Sequence, residues 1–365
     1  MDELWALLIP IVNADIEAFL HAGGNREFSE KATAQIVIAE SYLDSRVDGP
    51  DFPSAIGATA DGVLPISYGY IVAEAGEKGL GAFATQEFHR GDLILADPPL
   101  LLVDKSDHGG IVTQRNVMIA VQNLSHAEKK SFTSLKNAHS GSQHFGNPIA
   151  GIYSTNAFEA GNRSVICIAA SRFNHSCLPN ARYSWHAASG RMRIYALREI
   201  AIEQEIFVSY LSGRHVYGSC HKDRQERLKR YAFTCACVAC SLPSLEQVAS
   251  DVRRMEIALI WESVPFYMPH QTADRLTVII RAIRLLKEEG YPADADDFTN
   301  DAAVICACHG DWESVRYWAT KTYETRVAEF GEDSQRAAEV KDIYLDLKKS
   351  PRAETQRKQI FTARL

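Results

Sequence analysis

Hydrophobic and polar residues alternate in short runs through the middle of the chain, from residue 66 to residue 210. Gly, Pro and Asn separate these runs, so the pattern predicts short strands. The predicted strands lie at 68–72, 81–84, 92–96, 165–169, 181–185, 192–196 and 205–210. Many short strands with irregular connections favour a β-rich domain over a repeating βαβ unit.

A helical insert interrupts this series of strands. Residues 112–137 carry apolar side chains at helical spacing, among them Val117, Val121 and Leu124. The stretch that follows, at 138–148, contains Gly, Ser, Asn and Pro and is predicted to be a loop. We therefore expect a helical segment inside the β-rich domain.

Helical periodicity becomes continuous in the C-terminal third of the chain. The segments 245–288 and 299–347 place apolar residues at i, i+3 and i+4, which predicts a bundle of helices. Cys306 and Cys308 fall inside one of these apolar stretches, where packing in the core is the favoured interpretation. The last residues, 348–365, are basic and are predicted to form a mobile tail.

The N-terminal stretch resembles a targeting signal only superficially. Its start is acidic, and its longest apolar run extends from Leu4 to Val12. A secretory signal has a positive start, and a membrane span needs about 20 apolar residues. We expect residues 1–45 to form an amphipathic helical extension that docks on the body of the protein, and 46–65 to form a linker. The chain is predicted to lie in the cytosol, the nucleus or both, and not in a membrane.

Composition places the chain among ordinary globular proteins with a mild excess of acid. Its 365 residues are 46% hydrophobic and 23% charged, which gives room for two domains. The formal net charge of −7 argues against a broad surface for direct nucleic-acid binding. It suits a basic partner, such as a lysine-rich protein segment.

Three of the eight cysteines form a tight group, Cys235, Cys237 and Cys240. In an intracellular chain such clustering indicates a metal site before a disulfide. Zinc takes four tetrahedral ligands, and thiolates suit it, so a fourth ligand must come from elsewhere in the chain. Cys220 and His221 are nearby candidates, and a group of buried free thiols is the interpretation without a metal.

Four motifs follow one another in a fixed order: Lys78-Gly79-Leu80-Gly81, then Asn174-His175-Ser176-Cys177, then Tyr210 at the end of a strand-like run, then the three-cysteine group. In this order they resemble a SET-domain methyltransferase of the SET-and-MYND (SMYD) type, over residues 66–243. Residues 97–150 contain no cysteine, so the resemblance is to a form that lacks the MYND zinc module.

The resemblance implies an α+β fold with a β-rich SET domain and a helical C-terminal domain. The domain limits that it implies are 1–65 for the N-terminal extension, 66–213 for the SET domain with its helical insert at 105–150, 214–243 for a post-SET zinc-binding segment, 244–347 for a TPR-like helical domain and 348–365 for the tail. The expected activity is methyl transfer to a protein lysine.

S-adenosylmethionine is the cofactor that the resemblance implies. The residues expected to bind it are Lys78, Gly79, Leu80, Gly81, Asn156, Asn174, His175, Tyr210 and Phe233. Glycines allow the backbone to approach a ligand closely. Taken alone, each of these residues also has an ordinary structural interpretation, such as a β-turn for the glycines or core packing for Phe233.

The resemblance also assigns roles in metal binding and catalysis. One structural zinc ion would be held by Cys177 together with Cys235, Cys237 and Cys240. Tyr210 would be the catalytic residue, and Tyr183 and Tyr231 would line the substrate channel. The transfer is an in-line displacement by a neutral amine, so a lysine with a pKa of about 10.4 must first lose a proton.

Two other functions remain compatible with the sequence. One is a non-catalytic SET module that binds a partner, and the other is a SET-fold enzyme that acts on a small molecule. One departure from the family pattern is also present: a glycine usually precedes the acidic pair ahead of the catalytic strand, whereas this chain has Glu203-Gln204-Glu205. The turn at this place is predicted to be altered.

Overall fold

The computed structural model describes residues 69–104, 110–140, 147–264, 271–291, 295–350 and 353–361. The predicted N-terminal helix at 1–45 and linker at 46–65 lie outside these residues. The described chain forms two compact units: the smaller contains 99–171, and the larger contains 69–98 together with 172–361. No helix in the described ranges is both long and apolar enough to cross a membrane.

The larger unit begins with an antiparallel hairpin of β1 (Tyr70–Glu74) and β2 (Leu80–Ala84). The turn that joins these strands contains Gly79, whose φ of 78° lies in the left-handed region that favours glycine. A third strand, β3 (Leu93–Asp97), follows. All three strands occur where the alternating pattern predicted them, with bounds shifted by one or two residues.

The smaller unit packs helices against an antiparallel sheet. Its elements are β4 (Leu101–Asp104), α1 (Gly110–Gln122), α2 (His126–Thr133), α3 (Pro148–Asn156), β5 (Phe158–Ala160) and β6 (Arg163–Ile166). The strand order is β4-β6-β5. Apolar side chains from the strands and the helices share one core, which includes Val103, Val117, Phe132 and Ile166. Burial of such side chains stabilises the unit by about 1.5–3 kcal/mol for each one.

The helical insert consists of two helices where the sequence predicts one over 112–137. Ser125 ends the continuity, because its side chain accepts a hydrogen bond from the Glu128 backbone at 3.3 Å. The Glu128 carboxylate in turn accepts one from the Ser125 backbone at 2.8 Å. This reciprocal pair is a capping box, which starts a new helix at His126.

The larger unit continues with the remaining strands, β7 (Asn174–His175), β8 (Ala181–His186), β9 (Arg191–Ala196) and β10 (Phe207–Val208). A three-stranded antiparallel sheet has the order β3-β9-β8, and β7 pairs with β10 in parallel. The predicted strand at 205–210 is therefore only two residues long in the structure. The first residues of the predicted strand contact β2 instead, because the backbone of Ile206 donates to the carbonyl of Ala82 at 2.8 Å.

The described part of the larger unit continues with the helices α4 (His221–Leu228), α5 (Ser244–Ser263), α6 (Thr272–Glu288), α7 (Ala295–Cys308), α8 (Trp312–Phe330) and α9 (Gln335–Leu345). The predicted apolar stripe of α6, which includes Leu276, Ile279, Ile283 and Leu286, is buried in one core cluster. Cys306 is buried in the same cluster, as the packing interpretation expected. Helix α8 is tied to strand β8 by an ion pair of Glu329 with Arg182 at 3.1 Å.

The end of the described chain differs from the predicted mobile tail. Phe361 is buried in the helical core, and its backbone donates to the Asp311 carboxylate at 2.8 Å. The Glu354 backbone donates to the carbonyl of Ala307 at 2.8 Å. Residues 353–361 therefore pass over the C-terminal end of α7 and the start of α8, because one aromatic side chain and several hydrogen bonds to residues 307–314 hold them there.

The turn at Glu203 keeps the conformation expected of a glycine although its residue is different. Glu203 has a φ of 67°, which lies in the left-handed region. The backbone of Glu203 donates to the Ala84 carbonyl at 2.8 Å, and Ala84 donates back to the Gln204 carbonyl at 3.0 Å. The position thus retains the turn that a glycine would form, at the cost of backbone strain.

Candidate cofactor and metal site

The pairing of β7 with β10 brings the Asn174-His175 pair beside the segment that leads to Tyr210. Asn174 lies opposite Phe207, and His175 lies opposite Val208. The side-chain Nδ2 of Asn174 donates to the Leu80 carbonyl at 3.0 Å, which connects this pair to β2. Residues that are about a hundred positions apart in the chain therefore meet at one place.

The two glycines of the Lys78-Gly79-Leu80-Gly81 motif serve different purposes. A Cβ atom on Gly79 would meet nothing within 4 Å, so this glycine is needed for its left-handed backbone. A Cβ atom on Gly81 would lie 2.7 Å from Glu205 Oε1 and 2.9 Å from Asn174 Nδ2. Gly81 is therefore needed for space, because the two polar side chains occupy the volume beside it.

Lys78 and Asn174 converge on the carboxylate of Glu205. Lys78 Nζ forms an ion pair with Glu205 and lies 4.7 Å from the centre of the Phe207 ring. Asn174 Nδ2 donates to Glu205 Oε1 at 2.8 Å. Sequence reasoning did not assign Glu205 to the site, although it named the acid as part of the unusual Glu203-Gln204-Glu205 segment.

Tyr210 lies two residues beyond the end of β10, in a group of aromatic rings. Its ring centre is 4.9 Å from that of Tyr231 and 6.3 Å from that of Phe233. Between these two residues, Ala232 adopts a left-handed φ of 57°, which ends the short turn before Phe233. The Tyr210 hydroxyl donates to the Phe173 carbonyl at 3.0 Å.

The phenol of Tyr210 stays protonated over the physiological range. Burial raises the pKa of Tyr210 well above its ordinary value near 10, and nearby Tyr231, Glu205 and Tyr183 raise it further. A phenol of this kind donates and accepts hydrogen bonds and does not serve as a base. Tyr183 is the weakest of these influences on the pKa of Tyr210, and its place in a substrate channel stays a prediction.

His175 links Tyr210 to the cysteine group. Its Nδ1 accepts a hydrogen bond from the Tyr210 backbone at 2.9 Å, so in the neutral ring the proton is on Nε2. Nε2 lies 3.3 Å from Cys177 Sγ, to which it donates. Burial lowers the pKa of His175 to about 4, so the ring is neutral and keeps this orientation.

Four cysteine sulfurs form a compact group, Cys177, Cys235, Cys237 and Cys240, with all four atoms within 4.8 Å of one another. Cys177 Sγ is 3.9 Å from Cys235 Sγ and 3.6 Å from Cys240 Sγ. Zinc–sulfur bonds of about 2.3 Å in a tetrahedron place the sulfurs about 3.8 Å apart. The separations therefore fit one four-coordinate zinc ion, with no position left open.

The alternative fourth ligands are used in other ways. Cys220 precedes α4 at its N-cap position, and the ring of His221 contacts the side-chain amide of Gln225 at 3.0 Å. Within the described residues, neither belongs to the group of potential metal ligands, in which the fourth member is Cys177.

Arg224 is a buried cation beside this group. Its side chain is fully buried, and within the described chain Nε and Nη2 have no hydrogen-bond partner. Burial opposes its charge, but Cys177, Cys240 and the Asp251 carboxylate, which lies 3.6 Å from Nη1, together raise the pKa of Arg224. Four thiolates around a divalent ion carry a net charge of −2, which such a guanidinium would offset in part.

Asn156 belongs to the smaller unit, whereas the residues assembled above belong to the larger one. Its Nδ2 donates to the Ile152 carbonyl at 2.7 Å and to the Lys136 carbonyl at 2.8 Å, which secures the end of α3. These contacts account for the amide donors of Asn156. Its contact with a cofactor stays a prediction.

Residues 79–211 match the family model of the SET domain. The histone-lysine N-methyltransferase set5 of Schizosaccharomyces pombe is 26% identical over 274 residues, covering 73% of this chain and 81% of that protein. The N-lysine methyltransferase SMYD2-B of Danio rerio is 35% identical over 82 residues, covering 22% of this chain and 18% of that protein. The protein-lysine N-trimethyltransferase SMYD5 of Gallus gallus is 36% identical over 67 residues, covering 18% and 16%.

The chain thus spans most of set5 but less than a fifth of each of the two SMYD proteins. Residues 79–211 are a SET domain, and they contain the glycine turn, the Asn174-His175 pair and Tyr210. The chain carries a SET domain, and its similarity to lysine methyltransferases of the SET5 and SMYD groups supports a methyltransferase enzyme. The predicted fold class, with a helical C-terminal region after the SET core, is confirmed.

Proposed function

We propose that the protein is an S-adenosylmethionine-dependent protein-lysine N-methyltransferase, with Tyr210 as its catalytic residue and one structural zinc ion. The observation that carries the proposal is the setting of Tyr210. Its neutral phenol is held to the Phe173 carbonyl, next to Asn174-His175 and among the rings of Tyr231 and Phe233. The relatives named above act on protein or histone lysines by their names, and this supports the same acceptor here.

S-adenosylmethionine, when bound, supplies a methyl group from its sulfonium to an amine, which leaves a thioether and, after loss of one proton, a methylated amine. Lys78 offers a cation for the carboxylate at the amino-acid end of this cofactor. The side-chain carbonyl of Asn174 offers an acceptor for its ammonium group, because the amide donors of Asn174 are already used. Phe233 offers an aromatic surface for the adenine.

Tyr210 would orient the transfer without acting as a base. The hydroxyl donates its only proton to the Phe173 carbonyl, so the lone pairs of its oxygen remain available as acceptors. Together with backbone carbonyls, such lone pairs hold a polarised methyl group in line between donor and acceptor. The surrounding rings exclude water, and this favours the neutral form of a lysine amine.

The zinc ion would be structural. Cys235, Cys237 and Cys240 lie just after Phe233, and Cys177 lies just after His175. One ion bound to all four sulfurs would fix these two segments to each other, and with them the aromatic rings around Tyr210. Because the four cysteines complete the tetrahedron, the metal would take no part in the transfer.

A protein lysine is the proposed acceptor, with Tyr183 and Tyr231 as walls of its channel. A narrow aromatic channel suits the long, unbranched stem of lysine, whose methylene groups pack on rings while its amine reaches Tyr210. The net charge of −7 favours approach of a basic segment such as a histone tail.

Three measurements on one purified sample test this function. Isothermal titration with S-adenosylmethionine is expected to give micromolar binding, with about one zinc ion per chain by elemental analysis. Radiolabelled methyl transfer to recombinant histones is then expected, and it is lost when the accepting lysines are replaced by arginine. Binding without transfer to protein would favour the non-catalytic module or a small-molecule acceptor, and absence of binding would overturn the proposal.

A further inference from the structure

We propose that Glu205 is a positioning residue for the cofactor: its carboxylate holds Lys78 and Asn174 so that both face the amino-acid end of S-adenosylmethionine. This inference rests on the proposed function, because it concerns the same site. It adds a residue that the sequence motifs did not assign and gives it a defined task. Glu205 acts through its two neighbours, and its own carboxylate takes no part in the methyl transfer.

The contacts of Glu205 use both oxygens of its carboxylate. Oε1 accepts a hydrogen bond from Asn174 Nδ2 at 2.8 Å, and Oε2 forms the ion pair with Lys78. The Glu205 side chain is 10% exposed, whereas that of Lys78 is 44% exposed. The acid is therefore the buried and fixed member of the group, and the lysine is the mobile member that it restrains.

The backbone around Glu205 is fixed from two sides. On one side, Ala84 donates to the Gln204 carbonyl at 3.0 Å and Ile206 donates to the Ala82 carbonyl at 2.8 Å. On the other side, Asn180 Nδ2 donates to the carbonyl of Glu205 at 2.9 Å. These bonds fix the main chain of Glu205, and the contacts of its carboxylate with Asn174 and Lys78 orient the side chain from that fixed position.

Glu205 determines which end of the Asn174 amide faces the cofactor. The two protons of Asn174 Nδ2 are directed to Glu205 and to the Leu80 carbonyl. An amide has two donors and one acceptor oxygen, so this arrangement fixes its orientation and leaves Oδ1 as the free acceptor. An acceptor oxygen attracts an ammonium group, whereas the opposite orientation would present donors and repel it.

Glu205 also limits the positions that the Lys78 ammonium can adopt. The ammonium has three donors, and the pair with Glu205 uses one of them. The ring of Phe207, 4.7 Å from Nζ, supports the same position. The remaining donors can then bind a carboxylate, and less side-chain freedom is lost when it binds.

The glycine at position 81 explains how these groups fit together. Its missing Cβ leaves room for Glu205 Oε1 and Asn174 Nδ2, which would otherwise lie within 3 Å of that atom. The second glycine of the motif is thus matched to the acid 124 positions later in the chain. This match is the reason to treat Glu205 as part of the site and not as a surface ion pair of Lys78.

The test compares Glu205→Gln with Glu203→Gln, which removes an exposed carboxylate two residues away. Isothermal titration uses S-adenosylmethionine and, as a second probe, 5′-deoxy-5′-methylthioadenosine, which lacks the amino-acid end. Glu205→Gln is expected to weaken S-adenosylmethionine binding about tenfold or more. Its effect on methylthioadenosine should stay within about twofold, and Glu203→Gln should change neither affinity by more than that.

Steady-state kinetics gives a second readout that a purely structural role would not produce. KM for S-adenosylmethionine should rise in Glu205→Gln, whereas kcat at saturating cofactor should stay close to that of the unchanged protein. Equal affinities, tighter binding by Glu205→Gln, or equal losses for both probes would overturn the inference. If Glu205→Gln does not fold, Glu205→Asp keeps the charge, and its expected result is a smaller loss limited to S-adenosylmethionine.

Failure of the inference is distinct from failure of the proposed function. If the unchanged protein binds neither probe, the proposed function is wrong. If the unchanged protein binds S-adenosylmethionine and Glu205→Gln binds it equally well, only the role of Glu205 is wrong. Zinc content and melting temperature, measured on every variant, identify any loss that comes from unfolding.

Discussion

The proposed cofactor side and the proposed metal side of the site are built in opposite ways. At the cofactor side, a half-exposed lysine and an amide are arranged around one fixed carboxylate, Glu205. At the metal side, four sulfurs lie close together beside the buried Arg224. Partly exposed hydrogen bonds can be replaced by hydrogen bonds to water when a side chain is changed. A buried cluster of thiolates, in contrast, is stable only with positive charges beside it. Substitutions at the cofactor side should therefore reduce affinity, and substitutions at the metal side should reduce stability.

A short segment of chain joins the two sides. Asn174 belongs to the cofactor side and Cys177 to the metal side, and His175 contacts both Tyr210 and Cys177. Any shift of this segment would move residues of both sides at once. A substitution of a polar side chain on the cofactor side that lowers stability, or one on the metal side that lowers only affinity, would contradict this comparison.

The largest effect is expected at the metal side, from Cys237→Ser. A serine does not replace a thiolate ligand, so the variant should lose its zinc and several kcal/mol of folding free energy. Elemental analysis and thermal unfolding measure these two losses. Cys308→Ser is the matched control, because Cys308 is partly buried in α7, away from the cluster, and should keep one zinc per chain. Unchanged zinc content in Cys237→Ser would refute the four-cysteine site.

The next largest effect concerns Tyr210, which lies between the two sides. Tyr210→Phe should lower kcat by about 100-fold or more, because loss of one preorganised polar group typically costs that much. Affinity for S-adenosylmethionine and zinc content should both stay within about twofold. Tyr344→Phe, at a partly exposed tyrosine of α9, should leave kcat unchanged. Full activity of Tyr210→Phe would contradict the catalytic role proposed for Tyr210.

A pair of glycine substitutions separates space from backbone strain on the cofactor side. Gly81→Ala places a methyl group 2.7 Å from Glu205 Oε1 and should weaken S-adenosylmethionine binding about tenfold or more. Gly79→Ala meets open space but has a φ of 78°, so it should lower stability by about 1–2 kcal/mol. Titration calorimetry and urea unfolding on both variants test this contrast. Equal binding losses would show that strain, and not space, governs the turn.

The smallest expected effect is a gain in stability at Glu203. Glu203→Gly replaces a residue held at a φ of 67° by one that adopts this conformation without strain. The expected gain is about 1 kcal/mol in the free energy of unfolding, measured with urea. Gln204→Gly, at the next position, has no positive φ to relieve and should be neutral or destabilising. A loss of stability in Glu203→Gly would mean that its side chain contributes more than its backbone costs.

Local chemistry in this protein is visible in the sequence. The spacing of Cys235, Cys237 and Cys240 indicates a shared metal, and the glycine motif predicts a turn, because both depend on neighbours in the chain. The capping signal Ser125-x-x-Glu128 was also present, although the single predicted helix at 112–137 passed over it. The SET core was identified for the same reason, from short motifs in a fixed order.

Contacts between distant segments were not visible in the same way. Nothing around Glu205 indicates that its carboxylate meets Lys78, 127 positions earlier. Arg224 lies in a strongly polar helix, so its complete burial beside Cys177 has no local signal. The shortening of the predicted strand 205–210 has the same origin, since its first residues pair with β2. Such contacts depend on tertiary packing, which sequence periodicity does not describe.

The separation of the four cysteines along the chain has a consequence for the order of assembly. Cys235, Cys237 and Cys240 are close enough to capture an ion before the chain folds, but Cys177 lies 58 positions from Cys235. Closing a loop of that length costs about 3–4 kcal/mol of chain entropy. Tyr210 lies within this loop. The last metal–sulfur bond and the closure of the segment that carries Tyr210 would therefore form in the same step.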